Sequence, residues 1–365
     1  MATVIFYNFI LFSSTLFVWL SEKGKGSLER YFFLGIAFLL VFVPAAIRYD
    51  VGTDYVNYLA IYQDSWRLES YKKEPGFYFI NWFYQSIKAH FQWVFATFAF
   101  IFTAVAFKAY PRKNAWLLHF LFFSMLWFFS FNGIRQAIAL SFCLLALFNY
   151  FDKRYLWFSF LTVLASFFHQ SALLITLAGV IALIPLPKFL KSKVAPLVIL
   201  GVLAIALFSM SLLLSYMEQI LNLMGLTKYA NYFNSSRHFI PRDFGTGLGV
   251  LAKVLFSIFI IFNIKSFISI NKNYWLLIIL IVLYALGTVL ANQIIIFGRM
   301  AYTFVVAQVL GAYLLWTLPR NKKINRLVVS MFMLFLILSF TKDGFGIETS
   351  YANPKRNPYQ TIFSE

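Results

Sequence analysis

Three short segments of this chain place arginine or histidine beside acids and amides at the ends of long apolar runs. The first is Arg48-Tyr-Asp50-Val-Gly-Thr-Asp54-Tyr55, and the others are centred on Arg135-Gln136 and on His169. Charged groups at a membrane boundary are costly to hold in place, and they mark sites that handle polar substrates. An arginine at a helix N-terminus suits phosphate, because its planar fork and the free backbone N–H groups both favour an anion. These residue types therefore predict recognition of a diphosphate at the membrane surface.

The composition places these segments in a membrane protein. Hydrophobic residues make up 61% of the 365 residues and charged residues 12%, whereas a soluble domain has about 25% charged residues. The pattern predicts an all-α, polytopic integral membrane protein with about 10–12 transmembrane helices in a single membrane domain, 1–365. The stretch 155–187 must turn back near His169, as two short helices or a re-entrant pair. The runs of spanning length lie near 2–20, 31–47, 89–107, 115–131, 136–151, 194–214, 247–264, 274–290, 299–318 and 327–340.

Basic residues are distributed unevenly among the loops, and this predicts the orientation. Alternate short loops hold seventeen Lys and Arg against three acids, and the other segments hold twelve against ten. Because cytoplasmic loops carry the basic excess, we assign the first set to the cytoplasm and both termini to the outside. The net charge of +18 is then an orientation signal, which argues against a nucleic-acid partner. The outer segments are 48–90 (a loop with an interfacial helix), 215–246 (a possible substrate lid) and the C-terminal tail 341–365.

With this orientation, the unusual polar residues gather on the outer side. Arg135, His169 and Arg299 are each expected to open a helix that runs inward, with the positive end of its dipole in the same outer layer. A single arginine can equally snorkel to lipid headgroups, and a lone histidine is more often a structural group, so both alternatives stay open. With one cysteine and no acid or second histidine at ligand spacing from the other histidines, no metal site is expected. The outer set comprises Arg48, Asp50, Asp54, Glu74, Arg135, Gln136, His169, Arg242, Asp243 and Arg299.

Six segments together resemble the EpsG family of bacterial membrane proteins, in the same order along nearly the whole chain. They are RYDVGTDYVNY at 48–58, EPGF at 74–77, IRQAIALSF at 134–142, FHQSALL at 168–174, RMAYTF at 299–304 and NPYQTIF at 357–363. Members of this family resemble Wzy-type polysaccharide polymerases, which implies a membrane glycosyltransferase similar to the all-helical GT-C class. The resemblance implies polymerisation of repeat units carried on undecaprenyl diphosphate, for O-antigen lipopolysaccharide or capsule. The reaction would take place on the outer face of the bacterial inner membrane, without a cofactor.

The chemistry implied by this resemblance assigns roles to the polar residues. Cations must neutralise the departing lipid diphosphate, and we assign this to Arg48, Arg135 and Arg299. The acceptor hydroxyl needs a base, for which His169 is narrowly preferred over Asp54. Glu74 is either a helix cap or a sugar ligand. The expected partners are the lipid-linked glycan, the membrane lipid and a chain-length regulator protein. Sugar contacts are assigned to Asp50, Tyr55, Glu74, Gln136 and Arg242.

Three other functions stay open on the sequence alone. A flippase for the lipid-linked unit would need polar groups deep within the spans, where the sequence places Lys253 and scattered amides and hydroxyls. A membrane O-acyltransferase that modifies the glycan would need a catalytic histidine, which His169 could supply. A glycan ligase or single-sugar transferase shares the polymerase chemistry and differs in the acceptor.

Overall fold

The structure is a computed structural model, and it describes residues 1–184, 192, 194–208, 216, 219, 222–223, 247–291, 295–347 and 355–364. Helices account for nearly all of the regular structure, and no β-strand occurs within these ranges apart from an isolated bridge between Arg48 and Thr361. The predicted all-α class is therefore confirmed. Most of the predicted lid 215–246 lies outside the described residues.

The chain forms two compact units, Met1–Thr176 with Val329–Glu365, and Leu177–Val328. The helix α11, Leu173–Ile181, begins in the first unit and ends in the second. The helix α18, Lys322–Asp343, begins in the second unit and ends in the first. The helices up to α11 are α1 Ala2–Lys23, α2 Ser27–Ile47, α3 Tyr55–Gln63, α4 Ser65–Glu69, α5 Pro75–Ser86, α6 Gln92–Lys108, α7 Ala115–Leu126, α8 Phe129–Asn132, α9 Ile134–Phe151, α10 Tyr155–Ser166, a 3-10 helix Gln170–Ala172 and α11 Leu173–Ile181. They are followed by α12 Ala195–Phe208, α13 Leu248–Phe262, α14 Ile264–Ile270, α15 Tyr274–Leu290, α16 Ile295–Thr303, α17 Val305–Thr317 and α18 Lys322–Asp343.

Four helices of the described chain, α1, α2, α9 and α18, are long and apolar enough to cross a membrane. Two bent pairs raise this to six if each pair is one span: α13 with α14, bent by 52°, and α16 with α17, bent by 42°. Six further apolar helices have 10–17 residues, so several predicted spans are shorter than the apolar runs that contain them. The described part of the stretch 155–187 has two short helices, α10 and α11, separated by the 3-10 turn after His169, and the turn back near His169 stays a prediction.

Loops of the first unit are joined in the two groups that the charge pattern predicted. Between two predicted cytoplasmic loops, the backbone N–H of Asn114 donates to the Glu22 carboxylate (3.0 Å). Between two predicted outer segments, the N–H of Tyr49 donates to the carbonyl of Gln360 (2.9 Å). These contacts agree with the predicted alternation of loops, and the side of the membrane that each group faces stays a prediction.

The fully buried His119 of α7 joins this helix to α1 in the interior of the first unit. Its Nε2 lies 2.8 Å from Ser14 Oγ and its Nδ1 lies 2.7 Å from the Tyr110 hydroxyl. Both ring nitrogens of His119 are thus engaged, and burial leaves the ring no exposed surface. His119 is therefore a structural group that satisfies two hydroxyls inside an apolar bundle.

Small residues allow close packing in the second unit. A Cβ at Gly287 of α15 would lie 3.1 Å from the Cα of Ala301 of α16, which is backbone and cannot rotate away. The buried Gln308 of α17 donates to the Lys253 carbonyl of α13 (2.8 Å) and to Ser257 Oγ (3.2 Å). Close backbone approach and interhelical hydrogen bonds by amides are typical of helix packing in membranes.

We expect Gly287→Leu to destabilise the second unit by about 1–3 kcal/mol, because the added side chain forces α15 away from α16. The matched control is Gly35→Leu in α2, where an added Cβ meets nothing within 4 Å. Thermal unfolding of the detergent-solubilised variants measures the difference. Equal melting temperatures for the two variants would contradict the packing described.

Candidate functional site

Arg48, the residue after α2, is enclosed by aromatic rings. Only 2% of its surface is exposed, and its guanidinium lies 4.5 Å from the ring centre of Phe95 and 4.7 Å from that of Phe131. Its Nη1 donates to the carbonyl of Val51. Cation–π contacts and a carbonyl acceptor stabilise a desolvated arginine. The contacts of the Arg48 guanidinium are therefore with the protein interior and not with solvent.

The turn that follows Arg48 needs a glycine. Gly52 has φ +103°, and a Cβ there would lie 2.8 Å from both the Phe131 carbonyl and Asn132 Oδ1. The turn therefore packs its backbone directly against α8, which a side chain would prevent. The N–H of Gly52 donates to the carbonyl of Lys355 (2.6 Å), and the ammonium of Lys355 forms an ion pair with Asp50.

Arg135 and Glu74 form an ion pair at the start of α9. The arginine side chain is 25% exposed and the glutamate side chain 11%, so the pair lies at the edge of the packed interior. The guanidinium lies 4.6 Å from the ring centre of Tyr71 and 5.3 Å from that of Phe77. Arg135 Nε is buried without a hydrogen-bond partner within the described structure. The cation is thus held in place while a quarter of its side chain stays exposed.

Glu74 joins Arg135 to the turn at His169. It precedes α5, yet its side chain makes no capping hydrogen bond; the carboxylate instead accepts from Arg135 and from the backbone N–H of Gln170. Glu74 thus occupies the N-cap position of α5, but its side chain does not cap the helix. Burial raises the pKa of Glu74, and the charge of Arg135 and the Gln170 N–H oppose this rise.

Close backbone contact explains the glycine in the EPGF segment. The N–H of Gly76 donates to the carbonyl of Phe167 (2.9 Å). A Cβ at Gly76 would lie 3.1 Å from Phe168 Cζ and 3.2 Å from that carbonyl. Three segments that are far apart in the sequence, 74–77, 134–136 and 167–171, therefore meet in one cluster.

The hydrogen bonds of His169 define its neutral tautomer. Its Nδ1 accepts from the backbone N–H of Ser171 (3.3 Å) and lies 2.7 Å from Ser171 Oγ. A backbone N–H can only donate, so the proton of the neutral ring is on Nε2. In this conformation Nε2 of the neutral ring carries the proton, so Nε2 is a hydrogen-bond donor and cannot remove a proton from a substrate.

The other predicted residues have varied surroundings. Asp54 precedes α3 and is half-buried, and Tyr55 is 2% exposed, with its ring stacked on Phe95 at 5.1 Å. Gln136 follows Arg135 in α9 and is buried. Arg299 is exposed and lies within α16, which begins at Ile295, so the expectation that it opens a helix was wrong. Arg242 lies outside the described residues.

Tyr58 connects Asp54 to the ion pair electrostatically. Its hydroxyl donates to the carbonyl of Asn132 (2.9 Å). Burial raises the pKa of Tyr58 to about 12; the cation of Arg135 opposes this rise and the carboxylate of Asp54 adds to it. Asp54 and Arg135 therefore both act on the same phenol, so the acid of the first segment is near the cluster.

Sequence reasoning missed an open cleft beside the cluster. Its volume is about 450 Å³, within the range of small-molecule sites. The signal in the sequence was Trp66-Arg67 with Glu69, an aromatic and charged group in a segment without an apolar run. The lining residues are Asn57, Ile61, Trp66, Arg67, Glu69, Ser70 and Tyr71.

The fold and this cluster define a multi-pass helical membrane protein with a polar site among the segments that join its helices. The chain matches the EpsG family over residues 31–361. It therefore belongs to the EpsG family, whose members are Wzy-type, polysaccharide-polymerase-like membrane proteins, and the family predicted from the sequence is confirmed. No curated protein and no solved structure matches the chain. Within the described residues, no group of three or more His, Cys, Asp or Glu could hold a metal ion.

We expect Arg48→Ala to destabilise the protein by about 2–5 kcal/mol, because it leaves a cavity between rings and the Val51 carbonyl without its donor. The comparison variant is Lys355→Ala, which removes a half-exposed ion pair worth about 0–1 kcal/mol. Size-exclusion chromatography after stepwise heating of the solubilised protein measures both. A stable Arg48→Ala protein without activity would instead support the predicted role of Arg48 as a diphosphate ligand.

Proposed function

We propose that this protein polymerises oligosaccharide repeat units carried on undecaprenyl diphosphate. The glycan is transferred from the lipid diphosphate of one unit to a sugar hydroxyl of the next. The observation that carries the proposal is the Arg135–Glu74 pair, because it unites three segments of the family pattern around a cation that is partly open. A helical membrane protein with such a cation suits a substrate whose anionic group lies at the membrane surface.

Arg135 is the residue we propose to bind the diphosphate. It lies in the first turn of α9, where free backbone N–H groups and the helix dipole also favour an anion. Its position between the rings of Tyr71 and Phe77 and its bond to Glu74 fix the fork before substrate arrives. A cation that is already positioned stabilises the charge that develops on the leaving diphosphate without reorganisation. The assignment of Arg299 to the diphosphate stays a prediction from the sequence.

Arg48 takes a different role in this proposal from the one predicted. Its guanidinium donates to Val51 and is covered by two aromatic rings. A diphosphate could reach it only after the rings had moved apart. We therefore propose that Arg48 holds the 48–54 turn against α8 and acts on the substrate only by positioning that turn.

Glu74 is the base that the geometry favours. Its carboxylate is mostly buried and touches Arg135, and burial raises its pKa, which brings it closer to the working range of a general base. A bound diphosphate adds negative charge beside it and raises its affinity for a proton further. His169 is proposed to bind substrate rather than to remove a proton, because Nε2 of its neutral ring carries the proton. Asp54 is proposed to orient the acceptor, since its carboxylate acts on Tyr58 beside the ion pair.

The proposed location is the bacterial inner membrane, with the cluster facing the periplasm or outside. The support is the distribution of basic residues between loops, together with the contacts that join 48–52 to the 355–364 tail and 21–30 to 108–114. The membrane lipid and a chain-length regulator protein are the proposed partners. The proposed substrate class is a lipid-linked glycan of the kind used for O-antigen or capsule.

Arg135→Ala is expected to slow chain growth by about 100-fold or more, the scale seen when one preorganised charge donor is removed. Arg135→Lys keeps the charge but loses the planar fork, so we expect a large loss there as well. The variants are expressed in a host that lacks the gene, and the surface glycan is separated by size on a gel. A collapse of the ladder to a single repeat unit is the expected result.

Because Arg135→Ala leaves the Glu74 carboxylate without its cation, immunoblots of Arg135→Ala and of the double variant with Glu74→Gln show whether the unpaired carboxylate lowers the amount of protein. Chain growth is compared only between variants with equal amounts of protein. A normal ladder in Arg135→Ala would contradict the diphosphate site. In the gene deletion, complete loss of the glycan would point to a flippase. An intact ladder of changed mobility in the deletion would point to an acyltransferase.

The pH dependence of chain growth is expected to follow the ionisation of Glu74. The base must be deprotonated, so the rate should fall as the pH drops through the raised pKa, at a higher pH than for an ordinary glutamate. Protein reconstituted in liposomes with lipid-linked repeat units allows this measurement. Glu74→Gln should be slow and lose this limb of the profile, and an unchanged profile in Glu74→Gln would assign the limb to another group.

A further inference from the structure

The cleft beside α3 and α4 presents an aromatic platform to solvent. Trp66 leaves 83% of its surface exposed, and Tyr71 forms another part of the wall. An exposed tryptophan next to an open cleft can stack on the apolar face of a sugar ring. Single exposed aromatics are common in membrane proteins, so the polar groups around the platform decide what it binds.

The polar groups in the cleft include hydrogen-bond donors and acceptors, and the one cation and the one anion among them balance in charge. Arg67 pairs with Asp64 (3.5 Å), and Glu69 pairs with Lys72 and accepts from the Tyr78 hydroxyl (3.1 Å). These bonds orient a guanidinium and a carboxylate on the rim. Because the charges balance, the cleft favours a neutral ligand rich in hydroxyl groups over a polyanion. Asn57 and Ser70 add an amide and a hydroxyl to the lining.

The cleft is separated from the ion pair by one aromatic ring. Tyr71 lines the cleft, and the same ring lies 4.6 Å from the guanidinium of Arg135. A ligand in the cleft therefore lies beside the proposed diphosphate site. This arrangement fits one molecule whose anionic end is at Arg135 and whose uncharged rings extend along the outer surface of α3 and α4.

We propose that this cleft binds a neutral pyranose ring of the repeat unit, with Trp66 as its stacking platform. The proposal rests on the proposed function, because it takes the glycan of that substrate as the ligand. It adds a subsite that holds sugar independently of the lipid and the diphosphate. The recognition is by stacking and hydroxyl hydrogen bonds, so it needs neither charge on the sugar nor contact with the membrane.

The test measures binding of the repeat-unit oligosaccharide after mild acid has released it from the lipid. Full-length protein in detergent is titrated with this oligosaccharide, and ligand-observed NMR reports the affinity. Trp66→Ala is expected to weaken binding by about tenfold, the effect of about 1.4 kcal/mol of lost contact, and Trp66→Phe should keep most of it. The matched control is Trp93→Ala at the start of α6, where 60% of the side chain is exposed.

Arg135→Ala separates this proposal from the function on which it rests. The released oligosaccharide carries no diphosphate, so its binding to the unaltered protein reports on the cleft, whereas chain growth in Arg135→Ala reports on the diphosphate site. Unchanged affinity in Trp66→Ala would overturn the subsite, whatever Arg135→Ala does to the polymer. Equal losses of folded protein in Trp66→Ala and Trp93→Ala would also overturn it, since both residues would then be membrane anchors. Weakened binding by Trp66→Ala together with a normal ladder in Arg135→Ala would uphold the sugar site and overturn the diphosphate site.

Discussion

A cation removed from water at the edge of an apolar bundle must receive its partners from the protein. Arg48 and Arg135 in the first unit are two such cations. Arg48 receives a carbonyl and two rings and is closed off. Arg135 receives a carboxylate and two rings, and a quarter of it stays open. Meeting the second need draws α5 and the turn before α11 onto α9, because Glu74 must reach both the guanidinium and the N–H of Gln170. The arrangement of the short helices near the site follows from this requirement.

Much of the site could be predicted because its partners belong to short, unusual segments. Arginine, histidine and acids are rare in a chain with 12% charged residues, so their clusters stood out against apolar runs. Glycine marked the close approaches: Gly52 and Gly76 lie where backbone meets backbone or ring. The boundaries of α1, α2 and α9 agree with the apolar runs within a few residues, since spanning helices end where the apolar pattern ends.

Tertiary contacts decide what the sequence could not. Arg48 and Arg135 look alike as arginines at the ends of apolar runs, and each has two aromatic rings beside it. The difference is burial: Arg48 is 2% exposed, whereas the side chain of Arg135 is 25% exposed and pairs with a carboxylate. The helix that holds Arg299 is interrupted at Phe304 without a proline or a glycine at the break, so no local signal announced it. The cleft at Trp66 was missed because its walls come from two short helices that carry no spanning pattern.

The contact between the 355–364 segment and the residues after α2 has a consequence for the order of biogenesis. Gly52, Tyr49 and Ile47 all exchange backbone hydrogen bonds with this segment, which the ribosome makes only after α18. The turn that follows Arg48 therefore lacks these hydrogen bonds until the intervening helices have been synthesised. Packing of the turn after α2 is thus completed late, once synthesis has passed α18.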